Sequence, residues 1–195
     1  MKILYISGSP RKKSNTDTLL KEILSIIGGD FLKITDYQIE PCRSCWTCLK
    51  SDKCAIDDDM SRKLIPRVLA ADILVLGTPV YFNNVSGQLK VFMDRTWCLK
   101  GKLRNKIGGA VVVGRRDGIE SAITAIQAFF LKHEMIPANR GVHGRAFAQG
   151  EIADDPEAIE SARKLGARLI ELEALLGFPM SVGRRKEEFE DMVGR

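Results

Sequence analysis

The stretch Met1-Lys2-Ile3-Leu4-Tyr5-Ile6-Ser7-Gly8-Ser9-Pro10-Arg11-Lys12-Lys13-Ser14-Asn15-Thr16 decides the fold. Its first half is a short apolar run that reads as a strand over 2–7. Ser7-Gly8-Ser9-Pro10 breaks the run, and the pattern changes to helical over 14–27. A strand that gives way to a polar, glycine-containing loop and then to a helix is the opening unit of a parallel α/β sheet. The loop itself has a chemistry. Free amides at a helix N-terminus, several hydroxyls and an arginine together match a terminal phosphate. Ser9, Ser14 and Thr16 offer hydroxyls, Asn15 its amide and Arg11 its charge. The loop lacks both the G-x-G-x-x-G spacing and a Walker lysine, so a monophosphate is favoured over a pyrophosphate.

The alternation continues outward from this unit. Strands are predicted over 30–35, 72–78, 109–114 and, more weakly, 141–147. Helices are predicted over 57–69, 86–99, 118–133 and 154–176. The segment 72–78 is continuously apolar, as in a strand buried on both faces. Asp57, Asp58 and Asp59 fall in the first turn of their helix, where acidic side chains suit the helix dipole. Five strands in strict β-α alternation predict a doubly wound, five-stranded parallel sheet of order 2-1-3-4-5, the flavodoxin-like arrangement. No repeat or linker interrupts the 195 residues, so a single domain over 1–195 is expected, with a charged tail from about 181. The exception is the cysteine-rich loop at 36–56, too long for an ordinary connection.

Two further loops follow predicted strands. Thr78-Pro79-Val80-Tyr81-Phe82-Asn83 places two aromatics at the exposed end of a buried strand. They can face a flat ring system whose edge meets backbone N–H and C=O groups. Gly114-Arg115-Arg116 follows the next strand; Gly114 would allow close approach of a ligand, and Arg115 or Arg116 would stabilise negative charge. His133, His143 and the lone Cys98 read as structural.

The remaining cysteines, Cys42, Cys45, Cys48 and Cys54, lie within 13 residues. Such crowding in a cytosolic chain reads as metal or cluster binding before disulfides. C-x2-C-x2-C lets thiolates of one loop reach successive irons of a cubane, with a fourth arriving separately. Zinc more often takes two separated knuckles. Composition is that of a globular protein, 45% hydrophobic and 28% charged with net charge +5. No run is long enough to span a bilayer, and no basic-aromatic pattern suggests nucleic acid. A cytoplasmic location, with neither membrane nor nucleic acid as partner, is expected.

Gly8-Ser9-Pro10-Arg11 with Asn15-Thr16, Thr78-Pro79-Val80-Tyr81-Phe82, and Lys90 with Asp94-Arg95 together resemble the NADPH-dependent FMN reductases of flavodoxin-like fold. Pro41, the four cysteines and Asp57-Asp58-Asp59-Met60 narrow the resemblance to the iron–sulfur flavoproteins of archaea and anaerobic bacteria. The specific motifs reach about Gly118; beyond it the architecture alone agrees. The resemblance implies FMN and a [4Fe–4S] cluster, and a homo-oligomer, dimer or tetramer. Electrons would arrive from a one-electron donor such as ferredoxin, with the flavin N5 doing the chemistry. A first alternative is an NAD(P)H-dependent FMN or quinone reductase with a vestigial cysteine loop. A second is a non-enzymatic redox sensor or zinc-stabilised module.

Overall fold

The computed structural model describes residues 1–177; the charged tail expected from about 181 lies outside them. Chain order is β1 (Ile3–Ser7), α1 (Asn15–Ile27), β2 (Asp30–Lys33), α2 (Cys48–Ser51), α3 (Ile65–Ala70), β3 (Ile73–Pro79), α4 (Gly87–Arg95), β4 (Ile107–Gly114), α5 (Ile119–Lys132), β5 (Ile136–Pro137), β6 (Val142–Arg145) and α6 (Pro156–Gly177). The path through the sheet is β2-β1-β3-β4-β5, with β6 also pairing β4. Every pairing is parallel. This is the predicted flavodoxin-like order, which puts the loops after β1, β3 and β4 together at the carboxyl edge of the sheet.

Alternation along each strand builds two cores. Leu4, Ile6, Leu74, Leu76, Ala110 and Val112 face one way, onto the layer that holds Val68, Phe92 and Phe130. Ile3, Tyr5, Ile73, Val75, Val111 and Val113 face the other, onto Leu20, Ile23, Leu165 and Leu169 of α1 and α6. With both faces covered, the strands need apolar residues at every position, which is why 72–78 shows no polar alternation.

Two predicted elements differ. The strand expected over 141–147 is found as the shorter β6, Val142–Arg145, and a two-residue strand that was not expected, β5, precedes it on the same β4 edge. Pro137 brings no N–H to the ladder, and Gly141 takes φ +104°, so the backbone leaves the sheet and returns. The helix expected over 57–69 starts as a π-helical turn, Met60–Leu64, before α3. Pro66 has no N–H to give Arg62, and Asp58 lies at the cap of this helix, its Oδ1 accepting from the Ser61 amide at 3.1 Å.

Candidate functional site

At the carboxyl edge, the loops after β1, β3, β4 and β6 enclose a cavity of about 200 Å³. Ten of the 13 residues predicted to hold a ligand line it: Ser9, Arg11, Ser14, Asn15, Thr16, Pro79, Val80, Tyr81, Gly114 and Arg115. Ser14 caps α1, its Oγ accepting from the Asp17 amide at 3.2 Å. The amides of Asn15 and Thr16 point out of the first turn with no intrahelical carbonyl to meet. Asn15 also braces the wall. Its Nδ2 donates to the Ala148 carbonyl at 2.7 Å, and its Oδ1 accepts from the Gly150 amide at 2.8 Å. Arg11 Nη1 donates to the Phe147 carbonyl at 3.0 Å. Beneath the loop, the Asp17 carboxylate takes hydrogen bonds from Ser7 Oγ and Lys33 Nζ, and Lys33 also reaches the Arg11 carbonyl at 2.6 Å.

The other two loops interlock. Val80 donates its amide to the Val113 carbonyl at 2.9 Å. Tyr81 and Asn84 exchange backbone hydrogen bonds at 2.9 and 3.0 Å, and between them Phe82 (φ 46°) and Asn83 (φ 58°) are both left-handed. That is the type I′ pattern. For a bulky side chain such a φ costs about 1 kcal/mol. Phe82 is nonetheless fully exposed, so its ring has no packing of its own to offset the strain. Phe82, Asn83 and Thr78 do not line the cavity. Thr78 is buried, donating to the Pro79 carbonyl at 2.9 Å and accepting from the Ser86 amide at 2.9 Å, so it shapes the loop. Asn83 lies against Gly118, where a Cβ would stand 2.5 Å from its Cα.

Gly114 lines the cavity and is also required by packing. A Cβ there would meet Ile119 Cγ1 at 2.6 Å and Val80 Cγ2 at 2.9 Å, so close packing of protein side chains already requires the glycine. The sequence reading missed Val113, Ala146 and Phe147, which complete the lining. Phe147 had one visible signal, an aromatic at the carboxyl end of a predicted strand. Arg115 stacks on it at 4.3 Å.

The cysteines lie elsewhere. Cys42, Cys45, Cys48 and Cys54 line a second cavity, about 540 Å³, walled by the C-terminal halves of α4 and α5 and by the turn Thr96–Leu99. It shares no lining residue with the first. Ser44 and Trp46, on either side of Cys45, have φ 52° and 57°. Alternation of this kind turns successive amides inward into a concavity for anions, as in many iron–sulfur sites. Hydrogen bonds from Thr47 lower the Cys45 thiol from its ordinary value. Burial raises that of Cys48, and Cys54, Cys45 and Cys42 add to the rise, as four thiols in one cavity must. No disulfide forms among them, and no group of three His, Cys, Asp or Glu among the described residues is gathered about a single-ion position.

Three buried polar atoms of residues on this wall lack a hydrogen-bond partner among the described residues: Arg95 Nε, Trp97 Nε1 and His133 Nδ1. The first two can only donate. Thr96 donates its hydroxyl proton to the Met93 carbonyl at 2.7 Å, so it accepts from His133 Nε2 at 3.0 Å and leaves Nδ1 as that ring's free position. Four thiols and unpaired N–H donors fit a sulfur-rich anionic group of several atoms. Cys98 is on the wall too, but its S–H donates to the Arg95 carbonyl at 3.4 Å and burial pushes its pKa up to about 11.

One ion pair fixes the loop that carries these thiols. Arg95, 2% exposed, meets Asp58, 8% exposed, through Nη1–Oδ2 at 2.6 Å and Nη2–Oδ1 at 2.9 Å. Asp58 also accepts from the Glu40 amide at 2.9 Å. Burial alone would raise the Asp58 pKa, but Arg95 and the amides of Glu40 and Ser61 outweigh it and bring the carboxyl to about 2. The depressed value means the pair contributes fully above an ordinary aspartate pKa of about 3.9 and is lost as pH falls toward 2. Acid titration followed by near-ultraviolet circular dichroism should show about 2 kcal/mol of stability disappearing in that window. Stability that held unchanged below pH 3 would contradict the pairing.

The sequence model of the NADPH-dependent FMN reductase family matches residues 1–149. An iron–sulfur flavoprotein of Methanocaldococcus jannaschii is 40% identical over 192 residues, covering 90% of this chain and 99% of that one. The chain belongs to the iron–sulfur flavoprotein family. It is a flavin-dependent oxidoreductase, which sets aside a non-enzymatic module. Among solved structures it resembles RosB, with TM-score 0.77 and 16% identity over 97% of this chain and 87% of that one. It also resembles a pneumococcal flavodoxin, with TM-score 0.57 and 18% identity over 88% and 99%. At those identities the likeness shows the flavodoxin-like fold. No helix among the described residues of this iron–sulfur flavoprotein is long and apolar enough to cross a membrane.

Proposed function

We propose that the protein holds FMN in the carboxyl-edge cavity and a [4Fe–4S] cluster in the cysteine cavity, and passes electrons between them. The observation that carries this is the pair of separate cavities, one lined by a phosphate-type loop and the other by all four clustered cysteines. When bound, the cluster supplies one-electron exchange and the flavin a two-electron store. Ser9, Ser14, Thr16 and the Asn15 and Thr16 amides would hold the phosphate, with Arg11 beside it. Pro79, Val80 and Tyr81 would meet the ring edge, and Phe82 would close over the mouth. Cys42, Cys45, Cys48 and Cys54 would ligate iron. No side-chain acid or base is needed, so the chain's task is to bind, orient and exclude water.

Arg11→Ala should weaken FMN about tenfold, as expected for loss of one charged hydrogen bond, and leave the melting temperature nearly unchanged, since an exposed arginine contributes little to folding. Quenching of flavin fluorescence on titration measures this. An unchanged dissociation constant would give the phosphate to the hydroxyls and amides alone.

The placement of the cavities supports a homo-oligomer in which the cysteine cavity of one chain faces the flavin of another. Gly118 packs beside the flavin loops, whereas Phe129 lines the cysteine cavity, and α5 rises about 15 Å between them. Electron transfer weakens steeply over such a span. Exposed Trp46, Tyr81 and Phe82 are aromatics of the kind interfaces bury. Multi-angle light scattering should give a dimer or tetramer; a monomer would contradict it. An exterior donor of the ferredoxin type would then supply the electrons.

A further inference from the structure

Arg95 is the largest fully buried side chain among the described residues, and it stands on the wall of the cysteine cavity. A guanidinium has five N–H donors and no acceptor. Nη1 uses both of its donors, on the Glu40 carbonyl at 2.6 Å and on Asp58 Oδ2 at 2.6 Å. Nη2 uses its two on Asp58 Oδ1 at 2.9 Å and on Ser61 Oγ and the Ile56 carbonyl, at 3.2 and 3.4 Å. The fifth donor, Nε–H, is buried and has no partner among the described residues. An unpaired N–H of a buried cation is costly unless the cavity supplies an acceptor. The acceptors at hand are sulfurs. The Ile56 carbonyl that Nη2 meets lies two residues beyond Cys54, and Cys54 lines the same cavity as Arg95. Cys54 is therefore the thiol that answers this guanidinium. It is also the one ligand outside the C-x2-C-x2-C run, so nothing in that run's local geometry fixes it.

Resting on the cluster reading above, we propose that Arg95 is a positioning residue for the cysteine centre, giving its Nε–H to the sulfur of Cys54 while its other four donors grip Asp58 and the carbonyls on either side of the cysteine loop. One planar group then ties the fourth ligand to the folded frame and keeps a permanent positive charge against its sulfur. Hydrogen bonds to the sulfurs and net charge are among the factors that set iron–sulfur potentials, and both act here in the direction that favours the reduced, more negative centre. Lysine at this position would keep the charge but lose the fork and the Nε–H.

The test uses the anaerobically purified full chain grown on arginine labelled with 15N in its guanidinium group. Pulsed electron paramagnetic resonance of the reduced protein should show a 15N coupling to the cluster, and Arg95→Lys should abolish it. In that variant the reduction equilibrium should shift about tenfold toward the oxidised form, which is ~59 mV for one electron. Iron and sulfide present without a 15N coupling overturn the proposal. So does a coupling that survives in Arg95→Lys, which would assign it to Arg43. Should Arg95→Lys not fold, Arg43→Lys decides instead: a coupling that persists there upholds the proposal, and one that is lost there overturns it. Absence of iron and sulfide from the anaerobic protein overturns the cluster reading itself, and the proposal with it.

Discussion

Asp58→Ala should destabilise the protein by about 3–5 kcal/mol, the range measured when one partner of a buried ion pair is removed. The reason is the partner left behind. Arg95 has 0% side-chain exposure, so its charge would lose two short bonds and gain no water. The same substitution frees the Glu40 and Ser61 amides that Asp58 accepts from. The cysteine loop would then lose its anchor at the point where it rejoins the frame. Urea denaturation should show the midpoint falling with little change in slope. Asp57→Ala is the control. Asp57 is exposed and pairs with Arg62 at the surface, so its loss should cost under about 1 kcal/mol. Equal effects at the two positions would contradict the account.

Cys45→Ala should abolish iron binding and leave FMN affinity within about twofold of the parent, because mutations at separate sites act independently when they share no partners. The two cavities have no residue in common. Cys45 lies in the exposed part of the loop, far from the α1 cap and the strand ends that shape the flavin site, so its removal takes nothing from the sheet. Iron analysis and flavin titration on the same preparation separate the two losses. A folded variant that lost both would mean that the cluster supports the flavin cavity.

The sheet was legible in the sequence because burial on both faces leaves strands with no polar residue to blur them. Ile73 to Leu76 are all buried and could be read as nothing else. The phosphate loop was legible because cap, hydroxyls and arginine are sequence neighbours. What stayed hidden depends on contacts across the chain. Asp58 and Arg95 are 37 positions apart, and the acidic triplet at 57–59 gives no sign of which member turns inward. The dipole explanation would suit all three. Gly114 was read as allowing a ligand's approach; only the placement of Val80 and Ile119 shows that packing requires the glycine too. Phe147 was hidden because its place on the wall rests on contacts with Arg11 and Arg115, which are distant in the sequence. The cysteine loop was recognised by spacing, but its spacing says nothing of α4 and α5, against which it folds.

The central claim is that one chain carries both redox groups in separate sites. Purification without oxygen, followed by iron, acid-labile sulfide and FMN analysis of the same sample, tests it most directly. The account predicts one FMN with about four iron and four sulfide per chain, as a [4Fe–4S] centre requires. FMN without iron or sulfide, in a protein whose flavin NADPH bleaches at once, would contradict it.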